Sequence, residues 1–152
     1  MAAQPQAESL TSVIRWRAVA LGSVVAFLLS VAFGQVSAES IEGNLGARAA
    51  LLFVAMFAGG FAAGRYAGRF GVIQGVAIAV IFILIGASIK AWVEIDLATR
   101  FGPGVLGPMD MGGLILGDLV HLTGACTGGW LADSLAVRRE RRNNVSRGNA
   151  GR

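Results

Sequence analysis

Asp118 and His121 are the two residues of this sequence whose types and spacing suggest chemistry within an apolar segment. They lie three positions apart in the run from Met111 to Ala132, where Asp118 is the single formally charged side chain. Side chains at positions i and i+3 of a helix can touch. An Asp–His pair can relay a proton or hold an ion, and an ionisable group in such a segment is a functional candidate by default. The pair therefore predicts an ion or proton path, with a structural Asp–His pair as the simpler alternative.

His121 is also a candidate axial ligand for a haem or chlorophyll-type ring, because imidazole commonly ligates the metal of such rings. Glycines of the same segment would leave room for a flat ring. The sequence has one histidine, so a ligand role requires a second copy, a partner chain or a five-coordinate metal. An interhelical hydrogen bond, worth about 0.6–2 kcal/mol, is the simpler interpretation. We expect no cofactor.

Motifs of familiar catalytic chemistry are missing from the sequence. There is no HExxH motif, no nucleotide-binding loop and no GxSxG motif. The single cysteine, Cys126, excludes an internal disulfide and a multi-cysteine metal site. We therefore expect no enzyme activity.

The composition argues against a soluble fold. Of the 152 residues, 55% are hydrophobic and 14% are charged, and the mean hydropathy is +0.65. Average globular domains carry about 25% charged residues, so few polar groups remain to cover the surface of a soluble domain. The net charge of +4 comes from basic residues at the ends of apolar runs and in the tail. That distribution is typical of membrane orientation and not of nucleic-acid binding.

Four apolar runs approach the length of a membrane span, which is about 20 residues for a helix. We predict an all-α membrane protein whose four transmembrane helices cover about residues 16–38, 46–66, 70–93 and 110–133. The predicted organisation is a cytoplasmic segment at 1–14, the four-helix domain at 15–137 and a basic disordered cytoplasmic tail at 138–152. In that tail we expect contacts with lipid headgroups from Arg138, Arg139, Arg141 and Arg142.

Basic residues set the predicted orientation. Ten of the 13 Lys and Arg residues lie at the two termini and between spans two and three, and three lie in the other connections. By the positive-inside rule both termini face the cytoplasm, and the expected location is a bacterial inner membrane. The segment from Arg15 to Ala38 also resembles a secretory signal with a small-residue cleavage site. Its apolar run exceeds the usual length of about 7–15 residues, so we expect no cleavage.

Glycines at intervals of four and more predict where the helices pack closely, because membrane helices associate through small residues. These helix-packing candidates are Gly60, Gly64 and Gly68 in span two, and Gly113, Gly117, Gly124 and Gly128 in span four. Arg65 and Asp133 occupy matching depths and predict a structural salt bridge. The segments at 59–63 and 128–132 match at an offset of 69, which suggests two tandem helical hairpins.

The stretch Ala-Gly-Gly-Phe-Ala-Ala-Gly-Arg-Tyr-Ala-Gly-Arg at residues 58–69 follows a first span that begins beside arginines. In these features the chain resembles small four-helix bacterial membrane proteins of the uncharacterised YrzE-like kind. The resemblance implies a multi-pass inner-membrane protein without an assigned activity, and it carries over no functional residue.

The sequence therefore favours a non-catalytic role, as a small structural or assembly subunit of a larger membrane complex. Its expected partners are membrane lipids and other membrane subunits or copies of itself, and no nucleic acid. One alternative is a small oligomeric transporter or channel that uses Asp118 and His121. The other is ligation of a haem or chlorophyll-type cofactor by His121 in an electron-transfer or light-harvesting assembly.

Overall fold

Four α-helices make up most of the chain. The computed structural model describes residues 14–40, 44–107 and 111–150. The helices are α1 Trp16–Ser40, α2 Leu45–Ala67, α3 Gly71–Phe101 and α4 Met111–Ala150, with a short 3-10 helix at Pro103–Val105. These residues contain no β-strand, so the predicted all-α class is confirmed.

Three of the four helices are long and apolar enough to cross a membrane. The qualifying segments are Trp16–Gln35, Leu45–Ala67 and Gly71–Phe101, with mean hydropathies of 2.0, 1.7 and 2.6. Helix α4 is not among them, because Asp118, His121, two threonines and many glycines lower its hydropathy. By length and composition, the prediction of spans therefore holds for α1, α2 and α3.

Helix α3 runs further than the sequence predicts. The predicted span ends at residue 93, whereas the helix continues for two more turns to Phe101. Ion pairs of Lys90 with Glu94 (3.9 Å) and of Arg100 with Asp96 (2.9 Å) join positions four apart on these turns and support them. Gly102, with φ at 84°, then ends the helix.

Helix α4 also differs from its prediction. The sequence predicts a disordered tail from residue 138, but α4 continues without a break to Ala150. The segment 135–142 consists mainly of leucine, alanine, arginine and glutamate, which are strong helix formers, so the helix has no reason to stop at the end of its apolar part.

A tight turn joins α2 to α3. Gly68 adopts the left-handed conformation (φ 73°), and its N–H donates to the carbonyl of Gly64 at 2.9 Å. Phe70 is also left-handed (φ 58°) and directly precedes α3. A Cβ at Gly68 would meet no atom within 4 Å, so this glycine caps α2 and does not pack against another helix as the sequence predicts.

The two ends of the bundle differ in packing. We call the end that holds the α2–α3 turn the turn end, and the end that holds the α1–α2 and α3–α4 connections the loop end. Helix α2 packs on all three other helices and α4 packs on α2 and α3, whereas α1 makes few contacts with α3 and no substantial contact with α4. The buried core consists mostly of alanine and glycine with Met56 and Ile78. It lies in the half nearer the turn end.

Candidate functional site

Backbone atoms of α2 and α4 come into direct contact at glycines. A Cβ on Gly124 would lie 2.9 Å from the carbonyl oxygen of Phe53, and a Cβ on Gly64 would lie 2.8 Å from Cβ of Ala132. At Gly60 the added atom would overlap the backbone of Ala125, and at Gly128 that of Phe57. The structure therefore places four of the seven predicted packing glycines, Gly60, Gly64, Gly124 and Gly128, at the α2–α4 contact.

Further glycines, which the sequence interpretation missed, bring the backbones of the other helix pairs into contact. In the first hairpin, a Cβ on Gly22 of α1 would lie 2.6 Å from the carbonyl oxygen of Gly59. In the second, Gly71 of α3 and Gly129 of α4 each approach the carbonyl oxygen of the other. The carbonyl of Ala125 lies against both Gly60 and Gly75, which puts these three residues at one level of the bundle. The Gly71–xxx–Gly75 spacing was a signal for this contact, since it repeats the spacing used in span two.

Asp133 binds the N-terminus of α3. Its Oδ2 accepts the backbone N–H of Gly71 at 2.7 Å, where Phe70 supplies no side-chain cap. The first N–H groups of a helix lack internal partners and favour a negative charge. The predicted Arg65–Asp133 salt bridge is not formed, because the carboxylate faces this helix end and Arg65 is exposed.

Gln74 is a second polar tie near the turn end. Its side chain is fully buried, and Oε1 accepts the backbone N–H of Arg15 at 3.2 Å. Arg15 directly precedes α1, so the amide links the beginning of α1 to α3. The residues around Gln74 do not predict this contact between segments 59 positions apart.

A central cleft opens in the half of the bundle nearer the loop end. It lies between Ser30 of α1, Leu52 of α2, Phe82 of α3 and three residues of α4, which are Gly117, Asp118 and His121. It has two adjoining hollows of about 410 and 610 Å³ that share walls at Ser30, Leu52, Gly113 and Gly117. A Cβ on Gly117 would meet nothing within 4 Å. Two predicted packing glycines, Gly113 and Gly117, thus line the cleft.

Asp118 and His121 both line the larger hollow, but no hydrogen bond joins them. His121 Nδ1 lies 2.7 Å from the carbonyl oxygen of Gly117, one turn back on its own helix. Since a carbonyl oxygen only accepts, Nδ1 carries a proton and donates it. The ring of Phe82 stands beside the imidazole, with centroids 6.3 Å apart. The candidate pair therefore shares one space without forming the direct contact that its spacing allows.

Metal-ligating side chains do not gather elsewhere in the part of the chain that the structure describes. No group of three or more His, Cys, Asp or Glu residues there is placed to hold a metal ion. Nδ1 of His121 is occupied by the Gly117 carbonyl, which leaves Nε2 as the nitrogen available to a ligand.

The predicted headgroup contacts lie on the extension of α4. Arg138 and Arg139 are exposed beyond the turn end of the bundle, while the side chains of Arg141 and Arg142 lie outside the described part of the structure.

Comparison with protein-family models, curated proteins and solved structures finds no match to this chain. The resemblance to YrzE-like proteins stays a prediction.

Proposed function

We propose that the chain is a multi-pass protein of a bacterial inner membrane and that α4 crosses the bilayer with the other three helices. The support comes from packing. Helix α4 lies along α2 and α3, with Gly124 and Gly128 against α2 and Gly129 against α3. A helix in such contact with two apolar helices shares their depth in the membrane. Its polar residues Asp118 and His121 line the cleft, so they need not meet lipid.

The proposed orientation places the turn end in the cytoplasm. Arg15, Arg65 and Arg69 lie at this end together with the basic extension of α4. Cytoplasmic segments of membrane proteins carry an excess of Arg and Lys. Both termini are then cytoplasmic, and the cleft opens in the half of the bilayer away from the cytoplasm.

The proposed role is that of a small, non-catalytic subunit or assembly factor in a larger membrane complex. The observation that carries this proposal is the length of α4. Residues 134–150 continue the helix past Asp133, where α4 meets the first residue of α3. At 1.5 Å per residue the extension is about 25 Å long, and it carries five arginines against one glutamate. A rigid basic projection of this kind fits an acidic surface on a neighbouring subunit.

Gentle extraction of the native protein, followed by sizing and mass spectrometry, tests the role. We expect a partner at fixed stoichiometry. The charge-removing variant R138Q/R139Q should weaken its retention, since each exposed ion pair of an Arg with such a surface contributes up to about 1 kcal/mol. Two residues then correspond to a loss of affinity of up to roughly thirty-fold.

The matched control is R138K/R139K, which keeps both charges and should retain the partner. A native homo-oligomer without any partner would overturn the subunit proposal. Equal retention by the Gln and Lys variants would show that the extension is not the contact.

The central cleft supports a second candidate function, that of a small oligomeric transporter or channel. The observation in its favour is that Asp118 and His121 line one hollow of about 610 Å³. Flux into liposomes that contain the purified chain is the test. Loss of flux in Asp118→Asn, with the fold intact, would support this function over the subunit role.

A further inference from the structure

Asp118 lacks a counter-charge within the part of the chain that the structure describes. Its carboxylate is partly buried and forms no hydrogen bond or ion pair with a described residue. Lys90 lines the same hollow but pairs with Glu94 at 3.9 Å. Gly75 and Ala125 lie at one level of the bundle. Measured from that level along the helix axes, Lys90 lies about 22 Å away and Asp118 about 10 Å away. A carboxylate in apolar surroundings requires a cation or hydrogen-bond donors, and among the described residues Lys90 pairs with Glu94 and not with Asp118.

His121 adds an acceptor. Because Nδ1 donates to the carbonyl of Gly117, Nε2 of the neutral ring carries a lone pair. The larger hollow thus has a carboxylate and an imidazole nitrogen on its walls, both of which can accept hydrogen bonds. Its remaining walls are mostly apolar and include Phe27 and Phe82.

We propose that the larger hollow of the central cleft binds a lipophilic primary ammonium, in which a –NH₃⁺ group is carried on an apolar or aromatic body. The ammonium supplies a positive charge and N–H donors, which match the charge of Asp118 and the acceptor on His121. The body packs against the aromatic and aliphatic walls, where a ring face also attracts the cation. The volume of about 610 Å³ lies within the range of small-molecule sites, roughly 300–1,000 Å³. This inference rests on the cleft of the second candidate function, but it concerns binding and does not require transport or a partner.

Calorimetric titration of the purified full-length chain in lipid nanodiscs tests the proposal. The probe is phenethylammonium, and the uncharged control is 2-phenylethanol, which has the same apolar body. We expect saturable binding of the ammonium and binding of the alcohol that is weaker by at least about tenfold, as expected when a charged hydrogen bond is lost.

A matched pair of variants locates the site. Asp118→Asn should weaken ammonium binding by roughly ten- to a hundredfold, whereas Asp96→Asn, which removes the same charge from the exposed Arg100 pair, should leave it unchanged.

Absence of saturable ammonium binding, equal binding of the alcohol, or equal affinities in Asp118→Asn and Asp96→Asn would each overturn the proposal. The alternative occupant of the hollow is a transmembrane helix of a partner that carries a lysine at the depth of Asp118. Recovery of such a partner by native extraction, together with a chain that does not bind the probe, would identify it. If the probe binds but liposome flux is absent, the binding site stands and the transporter function fails.

Discussion

Alanine at Gly128 should destabilise the bundle, whereas alanine at Gly117 should not. A Cβ on Gly128 would lie 2.8 Å from the backbone nitrogen of Phe61 and closer still to the carbonyl oxygen of Phe57. Both atoms belong to the backbone of α2, so they cannot turn aside as a side chain would, and the two helices must separate. A Cβ on Gly117 meets no atom within 4 Å. The same substitution on the same helix therefore has opposite steric consequences.

The expected magnitudes follow from two opposing terms. Overpacking costs about 1–3 kcal/mol, and we take the upper value at Gly128 because both clashes are with backbone. Alanine is favoured over glycine within a helix by about 0.8–1 kcal/mol, which offsets part of that cost. The net change in the free energy of unfolding is then a loss of roughly 2 kcal/mol for Gly128→Ala and a gain of up to about 1 kcal/mol for Gly117→Ala.

Thermal unfolding of the purified protein in one detergent measures the difference. For a chain of this size 1 kcal/mol shifts Tm by roughly 2–4 °C, so Gly128→Ala should unfold about 4–8 °C lower and Gly117→Ala slightly higher than the wild type. Gly86→Ala on α3 is a further control, because a Cβ there also meets no atom within 4 Å. Equal shifts for Gly128→Ala and Gly117→Ala would refute the argument that backbone contact limits residue size in α4.

Two further predictions concern the polar ties near the turn end. Asp133→Ala should lower the free energy of unfolding by about 1 kcal/mol, the usual cost of a lost helix cap. Arg65→Gln should change that free energy by less than about 0.5 kcal/mol. Equal losses in the same unfolding assay would favour the Arg65–Asp133 salt bridge that the structure lacks. Gln74→Leu should cost about 0.5–1.5 kcal/mol, the usual net contribution of one hydrogen bond, because the backbone N–H of Arg15 loses its acceptor. A fully stable Gln74→Leu variant would contradict that role.

The helices themselves could be predicted from the sequence, because apolar runs and arginines mark them independently of tertiary contacts. The run between Arg48 and Arg65 lies within α2, and the short segment 65–69 correctly predicts a tight hairpin. The ends of the helices were harder to predict. Ion pairs such as Arg100–Asp96 extend α3 beyond its apolar part, and a hydropathy argument takes no account of helix propensity in a polar segment.

Glycine spacing identified where close contacts can form but not which glycines form them. Gly60 and Gly117 each have a second glycine four positions away, yet Gly60 lies against the backbone of Ala125 and Gly117 faces open space. The difference arises from the relative position of whole helices, because α1 has no substantial contact with α4 and the loop end stays open. No local pattern encodes that separation.

The same separation explains why α4 is the least apolar of the four helices. Average hydropathy gives equal weight to every face of a helix, whereas the cost of a polar side chain depends on the face it occupies. Asp118 and His121 lower the average of α4, but both line the central cleft, and Thr123 and Thr127 bond the carbonyls of their own helix at 2.7 Å. The exposed face of α4 keeps large apolar residues such as Ile115, Leu119 and Trp130. A helix with this division of faces can enter the bilayer as part of the bundle, and its polar residues then mark the space that the bundle encloses.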